Sequence, residues 1–179
     1  MTSPASVSAN ARCYRMPEQP VVVVCIDGSE PAYFDEALAQ GAAPGIARFR
    51  RDGVYRLARS VVPSFTNPNN LSIVTGVPPA IHGISGNYFY DPATGQEVMM
   101  DDPKFLRCET VLAALSLDGA RVAVVTAKDK LRRLLGHGMS GVCFSSERAD
   151  QTTKHEHGIE RATDLVNMPV PSVYSAELS

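Results

Sequence analysis

Arg121-Val-Ala-Val-Val-Thr126, Lys130-Leu-Arg-Arg-Leu-Leu135 and Gly141-Val-Cys-Phe-Ser145 are the stretches whose reading decides the fold. The first and last are short apolar runs rich in β-branched residues, as in strands buried within a parallel sheet. The middle stretch reads as a helix, so strand, helix and strand follow one another in the order of a parallel β-α-β unit. Upstream, Val21-Val-Val-Val-Cys-Ile26 repeats the strand signature and is broken by Asp27-Gly28-Ser29. Pro44–Asp52 predicts a helix with Pro at its start and Gly53 at its end. Residues 54–62 are strand-like, and Asn69–Thr75 predicts a helix stopped by Gly76. Residues 87–90 and 96–100 flank the turn Asp91-Pro-Ala-Thr-Gly95 and predict a hairpin. Residues 110–117 predict a helix ended by Asp118-Gly119. Residues 1–19 read as a polar leader, and residues 151–179 as a linker followed by the opening of a further helix capped by Ser175. The alternation predicts an α/β fold.

Composition narrows the function. The 179 residues are 44% hydrophobic and 20% charged, with 17 Lys+Arg against 19 Asp+Glu and a net charge of -2. That balance gives no electrostatic drive toward nucleic acid or an anionic membrane surface. The apolar run Val21–Ile26 is far too short to span a bilayer, and the N-terminus lacks the apolar segment of a secretory signal. Cys13, Cys25, Cys108 and Cys143 form no C-x-x-C pair and read as buried thiols of a reducing cytoplasm.

Ligands of open α/β sheets bind at the carboxyl ends of strands, and three features fall there. Asp27 directly follows the first run and can hold a metal, accept a hydrogen bond or simply close an Asx turn. In Ser64-Phe-Thr66-Asn67-Pro68-Asn69, Asn67 is a good N-cap and Pro68 a good first helical residue. Thr66 then sits in the positive field of a helix N-terminus, as a turn cap or as a nucleophile needing a base or metal to activate it. Thr126-Ala-Lys128-Asp129-Lys130 concentrates two of only four lysines, against thirteen arginines, at a helix start. Cations there oppose the macrodipole by about 0.3–1 kcal/mol each. Either they form a solvated charge run, or an anionic ligand meets them. His82 reads as a turn-stabilising hydrogen-bonder, His137 as a helix-end cap, and His155 and His157 as surface residues.

Taken together, Val21–Asp27, Thr66-Asn67-Pro68-Asn69, Thr75-Gly76-Val-Pro78 and His82-Gly83-Ile84-Ser-Gly-Asn87 resemble the alkaline phosphatase superfamily. The likeness is narrower to its nucleotide pyrophosphatase/phosphodiesterase branch, and Asn87-Tyr-Phe-Tyr-Asp91-Pro92 with Lys128 and Lys130 resembles the members that hydrolyse phosphonoacetate. The resemblance implies a three-layer αβα sandwich with a mostly parallel central sheet, incomplete in this chain, with residues 20–150 as the N-terminal part of that domain. It implies cleavage of the carbon–phosphorus bond of phosphonoacetate to acetate and phosphate with two zinc ions. Asp27 and Thr66 would ligate one zinc, Thr66 would attack phosphorus, Asn87 would hold a phosphoryl oxygen, and Lys128 and Lys130 would bind the substrate carboxylate. The partner implied is a small phosphonate, with no nucleic acid or membrane, and a homodimer is left open.

The superfamily's other metal ligands lie in Asp-x-x-x-His and Asp-His patterns and a late His, which this sequence lacks. They are expected downstream of Ser179, so the chain reads as the first part of a larger enzyme and is expected to be inactive alone. A phosphodiester hydrolase and a non-catalytic fragment are the competing expectations.

Overall fold

The computed structural model describes residues 5–148. In chain order its elements are β1 (Ser6–Ala9), β2 (Arg12–Arg15), α1 (Pro31–Ala39), α2 (Pro44–Asp52), α3 (Thr66–Thr75), α4 (Pro79–His82), β3 (Tyr88–Asp91), β4 (Gln96–Met99), α5 (Val111–Leu117), β5 (Val122–Thr126), α6 (Asp129–Leu135) and β6 (Gly141–Ser145), with single 3-10 turns at Pro103–Phe105 and Ser146–Arg148. They make an α/β fold divided into two units, Gln19–Ser60 and the remainder.

In the larger unit the deciding stretch folds as read. β5 and β6 pair in parallel from Val122↔Gly141 to Thr126↔Ser145, and α6 packs on both strands. Val124, Leu134, Leu135 and Cys143 join Leu71 of α3, Ile84 and Met100 in one buried cluster. Burying a residue such as Leu134 completely stabilises by roughly 1.5–3 kcal/mol. Only one face of β5 is covered, however, because Val125 lies exposed. Thr110 caps α5 by accepting the Ala113 N–H at 3.0 Å, as Thr caps do. The hairpin is also present, with Tyr88–Asp91 antiparallel to Gln96–Met99.

Residues 6–15, read as part of a polar leader, form a second hairpin, with Ser6 opposite Arg15 and Ala9 opposite Arg12. Its alternation is Val7 and Ala9 inward, and these two pack with Ala114 of α5. The inward side chains are too few and too small to register as an apolar pattern in sequence. Asn10 in its turn donates to the carbonyls of Thr75 and Glu109 at 2.8 and 2.7 Å, which ties the hairpin to α3 and to the approach of α5.

Gly76 ends α3 in the left-handed region (φ 68°), where a side chain would be strained and would also strike the Tyr14 hydroxyl. Gly83 ends α4 in the same way (φ 89°), and a Cβ there would collide with the Phe105 carbonyl. The glycines of the Thr75-Gly76 and His82-Gly83 pairs therefore have backbone reasons.

The unit Gln19–Ser60 corrects two expectations. Val21–Ile26 is not a buried strand but an exposed extended segment, with Val21 to Val24 each 70–84% exposed and Cys25 exposed with them. Residues 54–62 form no strand either, and Val54, Leu57 and Val62 are exposed. A strand exists only where a neighbour supplies ladder partners, and among the described residues neither run has one. What this unit does form is helical: α1, which the sequence reading missed, and α2, at its expected bounds. Arg50 joins them through Asp35 at 2.7 Å and lies over the Tyr55 ring at 4.3 Å. Such a solvent-exposed pair adds little to stability.

Candidate active site

The N-terminus of α3 is the natural centre of the site. The helix begins two residues earlier than the sequence suggests, with Thr66 as its first residue and Phe65, not Asn67, at the N-cap. The Phe65 carbonyl accepts the Asn69 N–H at 3.1 Å, which closes the first turn around Pro68. Pro is tolerated there because that N–H has no helical partner to lose. Asn70 then donates to the Thr66 carbonyl at 2.9 Å. The first turn contains no acidic residue, so no carboxylate within it offsets its positive end. A half-buried hydroxyl in that field, on a ten-residue helix, is placed to meet an anion.

Asn67 cannot cap because its side chain is used elsewhere. It is fully buried, and its Nδ2 donates to the Met100 carbonyl at 3.1 Å. The Met100 N–H in turn donates to the Asn87 carbonyl at 2.8 Å. The peptide groups at Met100 thus bring Asn87, just before β3, to the turn that carries Thr66. Asn67 Oδ1 and Asn87 Oδ1 are both buried without a hydrogen-bond partner. An unmade bond of this kind costs about 1–3 kcal/mol, and structures keep few of them. Sequence reasoning had assigned Asn67 to capping alone; its position beside a candidate nucleophile was the only available signal of another role.

His82 supports the same helix. Its Nδ1 accepts the Ile84 N–H at 3.1 Å, which assigns the proton to Nε2, 2.9 Å from the Ser72 hydroxyl. Ser72 passes on a bond to the Pro68 carbonyl at 2.8 Å. Burial holds the imidazole below its ordinary pKa, and the neutral form is the one this network needs. His82 is thus the structural hydrogen-bonder expected. His137, by contrast, is not the cap of α6, a position taken by Gly136.

At the start of α6, Lys128 is the exposed N-cap and Lys130 lies half-buried in the first turn. Carboxylates serve this end of the helix. Glu147 Oε2 accepts the Asp129 N–H at 2.8 Å, and Asp129 Oδ1 accepts from Arg132 Nε at 2.7 Å and Ser145 at 3.1 Å. Burial raises the Asp129 pKa, but the bonds from Arg132 and Ser145 outweigh it and hold the carboxyl below its ordinary value. α6 itself packs against α3.

Asp27 lies on the exposed turn of the other unit, beside Gly28 at φ 73°, and Ser29 closes that turn by donating to the Ile26 carbonyl at 2.9 Å. Among the described residues there is no group of three or more His, Cys, Asp or Glu able to hold a metal. Asp27 and Thr66 are two oxygen donors at most, whereas zinc takes four ligands, so these residues alone do not fit the metal. His155 and His157 lie outside the described residues, as do the proposed linker and terminal helix. No helix among the described residues is long and apolar enough to cross a membrane.

Comparison with known proteins places this architecture. Two solved structures of a phosphonoacetate hydrolase from Sinorhizobium meliloti 1021, one in complex with phosphonoformate and one with phosphonoacetate, are 57% and 56% identical to the chain, each with a TM-score of 0.90. Each similarity covers 99% of this chain and 44% of the hydrolase chain. An uncharacterized pyrophosphatase/phosphodiesterase of Schizosaccharomyces pombe is 34% identical over 47% of this chain and 17% of its own length. Human ectonucleotide pyrophosphatase/phosphodiesterase family member 1 is 38% identical over 41% of this chain and 8% of its own. The chain thus spans less than half the length of these proteins. Residues 21–169 match the family described as Type I phosphodiesterase / nucleotide pyrophosphatase, and the chain belongs to that family.

Proposed function

We propose that the protein hydrolyses the carbon–phosphorus bond of phosphonoacetate, giving acetate and phosphate. The observation that carries this reading is the 57% identity, over nearly the whole chain, to a hydrolase that binds phosphonoacetate and phosphonoformate in its solved structures. The position of Thr66 at the start of α3, whose first turn holds no acidic residue, supports it.

In this reading the Thr66 oxygen attacks phosphorus and the carbon–phosphorus bond breaks. The electron pair passes to the methylene carbon, where the adjacent carboxylate takes up charge until a proton completes acetate. Water then releases phosphate from Thr66. Negative charge on the phosphoryl oxygens is met by the α3 N-terminus and the Asn87 amide, and the carboxylate by Lys128 and Lys130. Bound zinc, two ions in this reading, would lower the pKa of the Thr66 hydroxyl. Asp27 and Thr66 would each supply one oxygen ligand to the metal, short of a full set by themselves.

Phosphate release from phosphonoacetate by the zinc-loaded full-length protein tests the reading directly. Lys128→Ala and Lys130→Ala should each raise KM for phosphonoacetate about tenfold while changing turnover of a nitrophenyl phosphodiester less than twofold. The relatives at 34% and 38% identity favour phosphodiester hydrolysis as the second reading. Preferred turnover of the diester, with phosphonoacetate untouched, would establish it instead.

A further inference from the structure

Asn67 is fully buried, yet it satisfies only one end of its amide: Nδ2 donates to the Met100 carbonyl, and Oδ1 is buried without a partner. An apolar side chain of the same size would avoid the unpaired oxygen but would take the Nδ2 donor away from the Met100 carbonyl. What Asn67 alone provides is a link. It follows Thr66 directly, and the Met100 residue it holds uses its own N–H to fix the Asn87 carbonyl at 2.8 Å. Asn87 is equally poorly served, with its Oδ1 buried and unpartnered. The Met100 N–H holds the Asn87 main-chain carbonyl and so fixes the backbone that carries that amide.

We propose that Asn67 is a positioning residue that sets the Asn87 amide relative to the Thr66 hydroxyl through the peptide groups of Met100. The proposal rests on the reading of Thr66 and Asn87 given above. Asn67 touches neither substrate nor reacting atoms. It holds two groups from distant parts of the sequence, 66 and 87, in one geometry, and displacement by about 1 Å in such a pair can lower rates on the order of 100-fold.

The test is a double-mutant cycle on the full-length zinc-loaded enzyme. Asn67→Leu keeps the volume and removes the donor, and it should lower the melting temperature by a few degrees at most while leaving the protein folded. Its kcat/KM for phosphonoacetate should fall about 10- to 100-fold. In an Asn87→Ala background the same substitution should change kcat/KM less than about twofold, because the group it positions is gone. Equal losses in both backgrounds would overturn the proposal and leave Asn67 a purely structural residue. Asn67→Ala asks no new volume of the core and carries the same cycle if the leucine variant does not fold. If Asn87→Ala by itself leaves turnover intact, the reading of the site fails, and the positioning role fails with it.

Discussion

Val22 exposes 84% of its surface and Val124 only 9%, although each stands among valines in a short apolar run that follows polar residues. Val124 has Gly141–Ser145 within twenty residues to complete a ladder and α6 between them to cover one face. Residues 21–26 are followed within their unit by two helices, α1 and α2, that bury no residue completely, and by no described strand. β-branched runs carry the capacity for a strand; a neighbouring backbone and a covering layer turn that capacity into one. The difference separates what a run can become from what it becomes in a given company of elements.

The contrast is sharpest in the response to substitution. Leu71→Ala removes a fully buried side chain from the cluster that supports β5 and β6 and should lower stability by about 2–5 kcal/mol in urea unfolding. A loss below about 1 kcal/mol would mean that this core is not the packed region described.

His82 gives a smaller, pH-dependent effect. Its folded pKa lies below the ordinary value, so the unfolded chain binds the proton more readily. Its contribution is complete above the unfolded pKa near 6.5 and is lost as pH falls through the lowered folded pKa. The stability difference between wild type and His82→Gln should therefore shrink from pH 7.5 to pH 5. A difference that grows over that interval would reverse the assignment of a neutral imidazole.

Val23→Asp should have the smallest effect. In the 179-residue chain it should alter stability by less than about 0.5 kcal/mol, as exposed substitutions do. A loss of several kcal/mol would show that residues 21–26 are paired and would erase the contrast with β5.

Much of the larger unit was legible in sequence because its signals are local. Gly141–Ser145 has the expected bounds, as does Pro44–Asp52 in the smaller unit, and the hairpin around Asp91–Gly95 follows from its turn residues. What failed depends on distant partners. The fate of residues 21–26 and 54–62 rests on neighbouring strands, which no local pattern reports. The hairpin Ser6–Arg15 hides its inward face in Val7 and Ala9. Within the site, Thr66 could be placed at a helix start from its neighbours. The first helical residue was still misread, because Asn67 bonds to Met100, thirty-three positions away. The lysines at α6 were visible, but Glu147, which serves the same helix end, could be placed there only once β6 was paired beside β5.

The account turns on Thr66, and one measurement tests it most directly: phosphate release from phosphonoacetate, followed by phosphorus NMR, for the full-length zinc-loaded wild type and its Thr66→Ala variant. The account predicts phosphate from the wild type and a rate lower by on the order of 1,000-fold or more in the variant. Wild-type turnover by Thr66→Ala would contradict it.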